Sequence, residues 1–153
     1  MIRFIRGIIT FILCLLNAIF VIVVVTPLGL FRFIPITFIQ KNILKINERF
    51  GELYLYFNSR IQDLMHNPDY KVYGQDKLKR DIWQFTTINH LSWADIFLYL
   101  YFCNFKQSCP RVFMKAQLWW LPITWTANIG LAMPFVVRRS KEAIKANPQL
   151  AQT

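Results

Sequence analysis

The chain has 153 residues, with 18 Lys plus Arg against 8 Asp plus Glu, 55% hydrophobic residues and a mean hydropathy of +0.32. That is one domain's worth of sequence, too apolar and aromatic for disorder or coiled coil, with no repeat period. A net charge of +10 attracts anions, and the high apolar content points to anionic lipid rather than to nucleic acid.

Residues 7–31 carry no charge, and 25 helical residues are long enough to cross a hydrocarbon core of about 30 Å. A secretory signal peptide is the competing reading. The run is longer than a usual signal core, and no small-x-small cleavage site follows it, which favours a retained membrane segment. Thr26-Pro27-Leu28-Gly29 is a helix-breaking tetrapeptide inside the run, and a second apolar piece, residues 30–39, is broken at Pro35. Arg3 and Arg6 lie before the run; Arg32, Lys41, Lys45 and Arg49 follow. Basic residues on both sides pull both ends toward the cytoplasm. A re-entrant helical hairpin satisfies both ends, and a single span stays open. Residues 1–40 are thus read as a membrane anchor.

Residues 41–67 read as an amphipathic helix and its stop. Ile43, Ile46, Phe50, Leu53, Phe57, Ile61 and Leu64 recur at steps of three or four, and Asn67-Pro68-Asp69 ends the pattern. Residues 68–146 read as an α/β domain. Short strands are expected at 70–73, 82–88, 111–114 and 133–137, with a turn at 74–77. Helices are expected at 92–102, at 115–121 (ended by Pro122) and from 140 to 146. Residues 147–153 show no pattern and are taken as an unstructured tail. The three cysteines, Cys14, Cys103 and Cys109, have no framework spacing and read as small buried hydrophobes in a reduced compartment. None has zinc-like spacing with a histidine, so no metal is expected.

Two histidines are present. His66 sits at a helix end and reads as solvated. His90 stands between a predicted strand and a predicted helix, in Asn89-His90-Leu91-Ser92-Trp93-Ala94-Asp95. Ser92-x-x-Asp95 has capping-box spacing, which makes Ser92 the N-cap and Asp95 the third helical residue. His90 then lies in the loop, where the chain can fold it back over the first helical turn so that Asp95 accepts its Nδ1–H. A carboxylate there leaves Nε2 free to take a proton. The bland alternative is a simple cap beside an incidental loop histidine, because the spacing by itself is common. Trp119, Trp120 and Trp125 suit either a headgroup-level belt or core packing.

The segment 89–95 resembles the NHxSxxD block of the glycerolipid acyltransferases, the 1-acylglycerol-3-phosphate acyltransferase family. Tyr70-Lys71-Val72-Tyr73-Gly74 resembles the strand and glycine before that block, and Val112-Phe113-Met114-Lys115-Ala116-Gln117-Leu118 the strand and lysine after it. Met133-Pro134-Phe135-Val136-Val137-Arg138-Arg139 resembles the second block, without its usual glycine; Ala132 or Met133 stands there. The likeness is to a bacterial inner-membrane branch and covers about residues 70–140. It implies a membrane-anchored, truncated acyltransferase-like αβ domain facing the cytoplasm. His90 would be the general base and Asp95 its orienting partner. Arg138, Arg139, Asn89 and Lys115 would bind substrate, with the arginines on the acceptor's phosphate; a solvated charged strand end is the plain alternative for the arginine pair. The acceptor would be a lysophospholipid among membrane lipids. The acyl donor would be acyl-CoA or acyl carrier protein, with no other cofactor. The family's third and fourth blocks are not found, so the resemblance implies the front half of such an enzyme, inactive alone or completed by a second chain. The rival expectation is a non-catalytic membrane-associated remnant or interaction protein.

Overall fold

The computed structural model describes residues 2–67, 69–71, 73–74, 84–89, 91–106, 109–137 and 139. Helix α1 spans Ile2–Leu30. It continues through Pro27, where the sequence predicts a break. A proline this close to a helix end removes one N–H donor, and the helix has only three residues left to run. The turn comes later. Phe31–Phe33 form a single 3₁₀ turn, and Ile36 is extended before α2, Thr37–His66, begins. Gln40 closes this corner by donating from Nε2 to the carbonyls of Arg32 and Ile34, 3.1 Å each. Asn67, in the left-handed region at φ 43°, stops α2, and its N–H bonds the Asp63 carbonyl.

The two long helices are antiparallel neighbours, from Thr10 beside His66 at one end to Val25 beside Asn47 at the other. Thr10 Oγ1 lies 3.1 Å from His66 Nε2, Asn17 Nδ2 donates to the Tyr54 carbonyl, and Asn47 Nδ2 reaches the Val25 carbonyl at 3.5 Å. The face that α2 buries is small and polar: Asn47, Gly51, Leu55, Asn58, Ser59 and Gln62. Of its predicted apolar stripe, Ile46, Leu53, Phe57 and Leu64 are exposed, while Ile43, Phe50 and Ile61 are half-buried. Most of the apolar surface of α1 is exposed as well, from Phe4 through Val23. Helices that meet through small and polar residues and turn their apolar faces out follow the membrane rule rather than the aqueous one.

Helix α3, Trp93–Lys106, packs on α2. Tyr101 donates to Asp63 Oδ1 at 2.6 Å, and Tyr70 meets the Tyr101 ring edge-on at 4.8 Å. The remainder folds against the C-terminal end of α1. Strand β1, Met114–Lys115, leads through a 3₁₀ turn at Ala116–Leu118 to the short α4, Pro122–Trp125. A π-helical turn, Thr126–Gly130, follows, and then β2, Phe135–Val136. Pro122 was expected to end a helix; it starts one instead, at a first-turn position where its missing N–H costs nothing. Val21, Val25, Leu131 and Met133 form the small core, with Phe50, Tyr54, Cys109, Met114 and Ala127 around it.

The expected α/β domain is corrected by this architecture. Among the described residues 71% are helical and 3% are in strands, and the sheet is one parallel pair, Met114 with Phe135 and Lys115 with Val136. The described parts of 70–73 and 82–88 are irregular. Aromatic and β-branched residues there suggested strands, but a strand needs a ladder partner, and Tyr70 spends its ring on α3 instead. Residues 75–83, the expected helix at 140–146 and the tail at 147–153 lie outside the described residues.

Candidate functional site

The block 89–95 sits at the start of α3. Asp95 turns its carboxylate back toward the chain that precedes the helix, where Oδ2 accepts the N–H groups of Leu91 and Ser92, 2.6 Å each. Ser92 is the N-cap and Asp95 the third helical residue, as the spacing predicts. These bonds satisfy two donors at the start of the helix and hold the carboxylate against the backbone of residues 91 and 92. His90 itself lies outside the described residues. Asn89 and Leu91, on either side of it, are exposed.

The second group of candidates lies on the parallel pair. Lys115 is exposed and ends β1, aligned with Val136. Arg139, three residues beyond Val136, is half-buried. Parallel pairing with this register brings the lysine segment and the arginine segment to the same end of the pair. Arg138 lies outside the described residues. Arg111, just ahead of β1, is tied to α2 by a 2.8 Å bond from Nη2 to Glu48.

The segment leading into β2 is tightly folded. Met133 N–H bonds the Ala127 carbonyl, and Asn128 Nδ2 donates to the Met133 carbonyl at 2.9 Å. Ala132 is held at φ 55°, the left-handed region that glycine prefers.

A pocket of about 420 Å³ opens beside this bend, lined by Arg32, Phe33, Asn128, Ile129, Ala132, Met133 and Pro134. Arg32 Nη1 donates to the Ile129 carbonyl at 2.7 Å. In the sequence Arg32 is legible as a flanking positive charge, not as part of a pocket. Its one local signal is a basic residue at the end of an apolar run, close to Pro35. Behind the pocket, Thr26 and Thr126 hydroxyls lie 2.7 Å apart, and fully buried Asn47 donates to the Gly130 carbonyl at 3.1 Å.

None of the three cysteines, Cys14, Cys103 and Cys109, is in a disulfide. Burial pushes Cys109 up to about 12, reinforced by the Glu48 and Glu52 charges, and burial pushes Cys103 up to about 11. Both are therefore thiols rather than nucleophilic thiolates at neutral pH. Trp119, Trp120 and Trp125 are exposed, so the core-packing alternative is set aside for them. His66 is exposed at the end of α2 beside Thr10.

Helix α1, with its continuation to Phe33, is long and apolar enough to cross a membrane, and its position near the N-terminus is also that of a signal sequence. No family model, curated protein or solved structure matches this chain.

Proposed function

We propose that this protein works at a membrane surface as an acyltransferase of the glycerolipid type, moving an acyl chain from acyl-CoA or acyl carrier protein to a lysophospholipid such as 1-acylglycerol-3-phosphate. The observation that carries the reading is the Asp95 carboxylate folded back onto the N–H groups of Leu91 and Ser92, against the loop that holds His90. His90 would take the proton of the glycerol hydroxyl as its oxygen attacks the thioester carbonyl. A C–O bond forms, the C–S bond breaks, and the leaving thiolate takes the proton back from the imidazolium. Arg138 and Arg139 would hold the acceptor phosphate, with Lys115 brought to the same end of the parallel pair. Asn89 would border the acceptor.

The hairpin supports a membrane location and suggests its orientation. Asn17, at the middle of α1, is level with Tyr54 of α2. At a rise of 1.5 Å per residue, Glu52 and Arg49 lie only about 3 and 8 Å from that level. A hairpin standing upright would place this pair near the bilayer centre, with the Arg49 side chain 72% exposed, at a cost of roughly 2.5–3.5 kcal/mol per charge. Lying in the membrane plane, it keeps α1 and the apolar stripe of α2 among acyl chains and its charged face in water. The packing of α1 against α2 and the 126–130 turn also favours its retention over cleavage as a signal. By the resemblance, the membrane is a bacterial inner membrane and the site is cytoplasmic.

A second reading, a non-catalytic membrane-associated protein, is favoured by one observation. The described sheet is a single pair of two-residue strands, which is little scaffold for a catalytic domain. One assay separates the two. Membranes containing this chain are given acyl-CoA and lysophosphatidic acid. The enzymatic reading expects acyl transfer that His90→Ala abolishes and Asp95→Ala lowers sharply. Turnover unchanged by His90→Ala removes the base assignment, and no turnover favours the second reading.

A further inference from the structure

We infer that the pocket at the hairpin corner is a binding site for the phosphate headgroup of a membrane phospholipid, separate from the acceptor site. Arg32 brings the charge. Arg32 is half-buried, and one guanidinium nitrogen donates to the Ile129 carbonyl, so the fork is oriented before any ligand arrives. A guanidinium carries five N–H donors, and this anchor uses one of them. The fork geometry matches phosphate oxygens. The other described lining residues are Phe33, Asn128, Ile129, Ala132, Met133 and Pro134, none of them acidic. A volume of about 420 Å³ lies within the roughly 300–1,000 Å³ common for small-ligand sites.

The walls decide between a free phosphate and a lipid. Apart from Arg32 and Asn128 the lining side chains are apolar, and bare phosphate would gain nothing from those side chains. Phe33, 74% exposed, lines the pocket and lies in the turn that follows α1, close in sequence to the exposed Leu30 and Phe31. The pocket therefore borders the surface that meets acyl chains. A phospholipid can place its phosphate on Arg32 and its glycerol and first methylenes against Phe33, Ile129 and Met133. The occupied site would pin the hairpin corner to the headgroup layer.

The test uses the purified full chain in neutral detergent, with bound lipid read by native mass spectrometry after addition of phosphatidylglycerol. Arg32→Gln is expected to weaken retention by about tenfold and Arg32→Lys by less, since a charge-assisted fork is replaced by nothing or by a point charge. Arg32→Gln also loses the Ile129 contact, so Phe33→Ala provides a variant that leaves that contact in place; about threefold weaker retention is expected at unchanged helix content. Inorganic phosphate at the same concentration should not displace the lipid. Equal retention by Arg32→Gln and wild type, no effect of Phe33→Ala, or displacement by inorganic phosphate would each overturn the proposal. No acyl donor is present in this measurement, so its failure and that of the acyl-transfer reading are read separately.

Discussion

Replacing glycine by alanine at two places in the same helix should move stability in opposite directions. At Gly7 of α1 an added Cβ meets nothing within 4 Å. At Gly29 it meets backbone: the Cα of Gly130 at 2.8 Å, its nitrogen at 2.9 Å and the Ile129 carbonyl carbon at 3.0 Å. Those atoms cannot rotate away as a side chain can, so the 126–130 turn must move off α1. Both substitutions remove a helical glycine, worth up to about 1 kcal/mol in favour of alanine. Only Gly29→Ala carries the overpacking penalty, about 1–3 kcal/mol. For a chain of this size 1 kcal/mol is about 2–4 °C in Tm, so the two variants should differ by about 2–12 °C, with Gly7→Ala the higher. Thermal unfolding followed by circular dichroism in one detergent checks this. Equal Tm values would refute the close crossing of α1 with the π-helical turn. The same displacement shifts Ile129, the anchor of Arg32, so Gly29→Ala should also weaken lipid retention.

Ala132→Gly should stabilise the fold by up to about 1 kcal/mol, because φ 55° strains any residue with a Cβ; a lower Tm would contradict the left-handed bend. Cys103 and Cys109 titrate near 9 when unfolded but are pushed to about 11 and about 12 when folded. The folded chain then keeps protons that the unfolded chain has released. The stability they contribute is complete below pH 9 and falls as pH rises toward 11–12. Denaturant midpoints measured from pH 8 to 11 should therefore decline, and less so in Cys109→Ala; a flat profile would count against burial of these thiols. For the in-plane hairpin, a cysteine at Arg49 should react with a membrane-impermeant maleimide from the side that also labels one at Arg6, while one at Leu16 stays protected. Protection at position 49 would favour an upright hairpin.

Much of the local order was legible in residues close together in sequence. The uncharged run of residues 7–31 marks α1, the three-and-four spacing marks α2, and Asn67 stops it. Ser92 and Asp95, three apart, announce the start of α3 and the carboxylate that folds back over it. Each signal is one of periodicity or capping, which act within a turn or two. Contacts between distant segments decided the rest. Pro27 was read as a break because local rules disfavour proline in helices, yet α1 runs on to Leu30 and packs against Gly130, a hundred residues away. The aromatic stretch around Tyr70 looked like a strand until α3 offered it a ring to lean on. The apolar stripe of α2 was equally visible either way. Only the packed hairpin shows that the small polar face is the one buried, because burial depends on which surface fits a neighbour and not on which is more apolar.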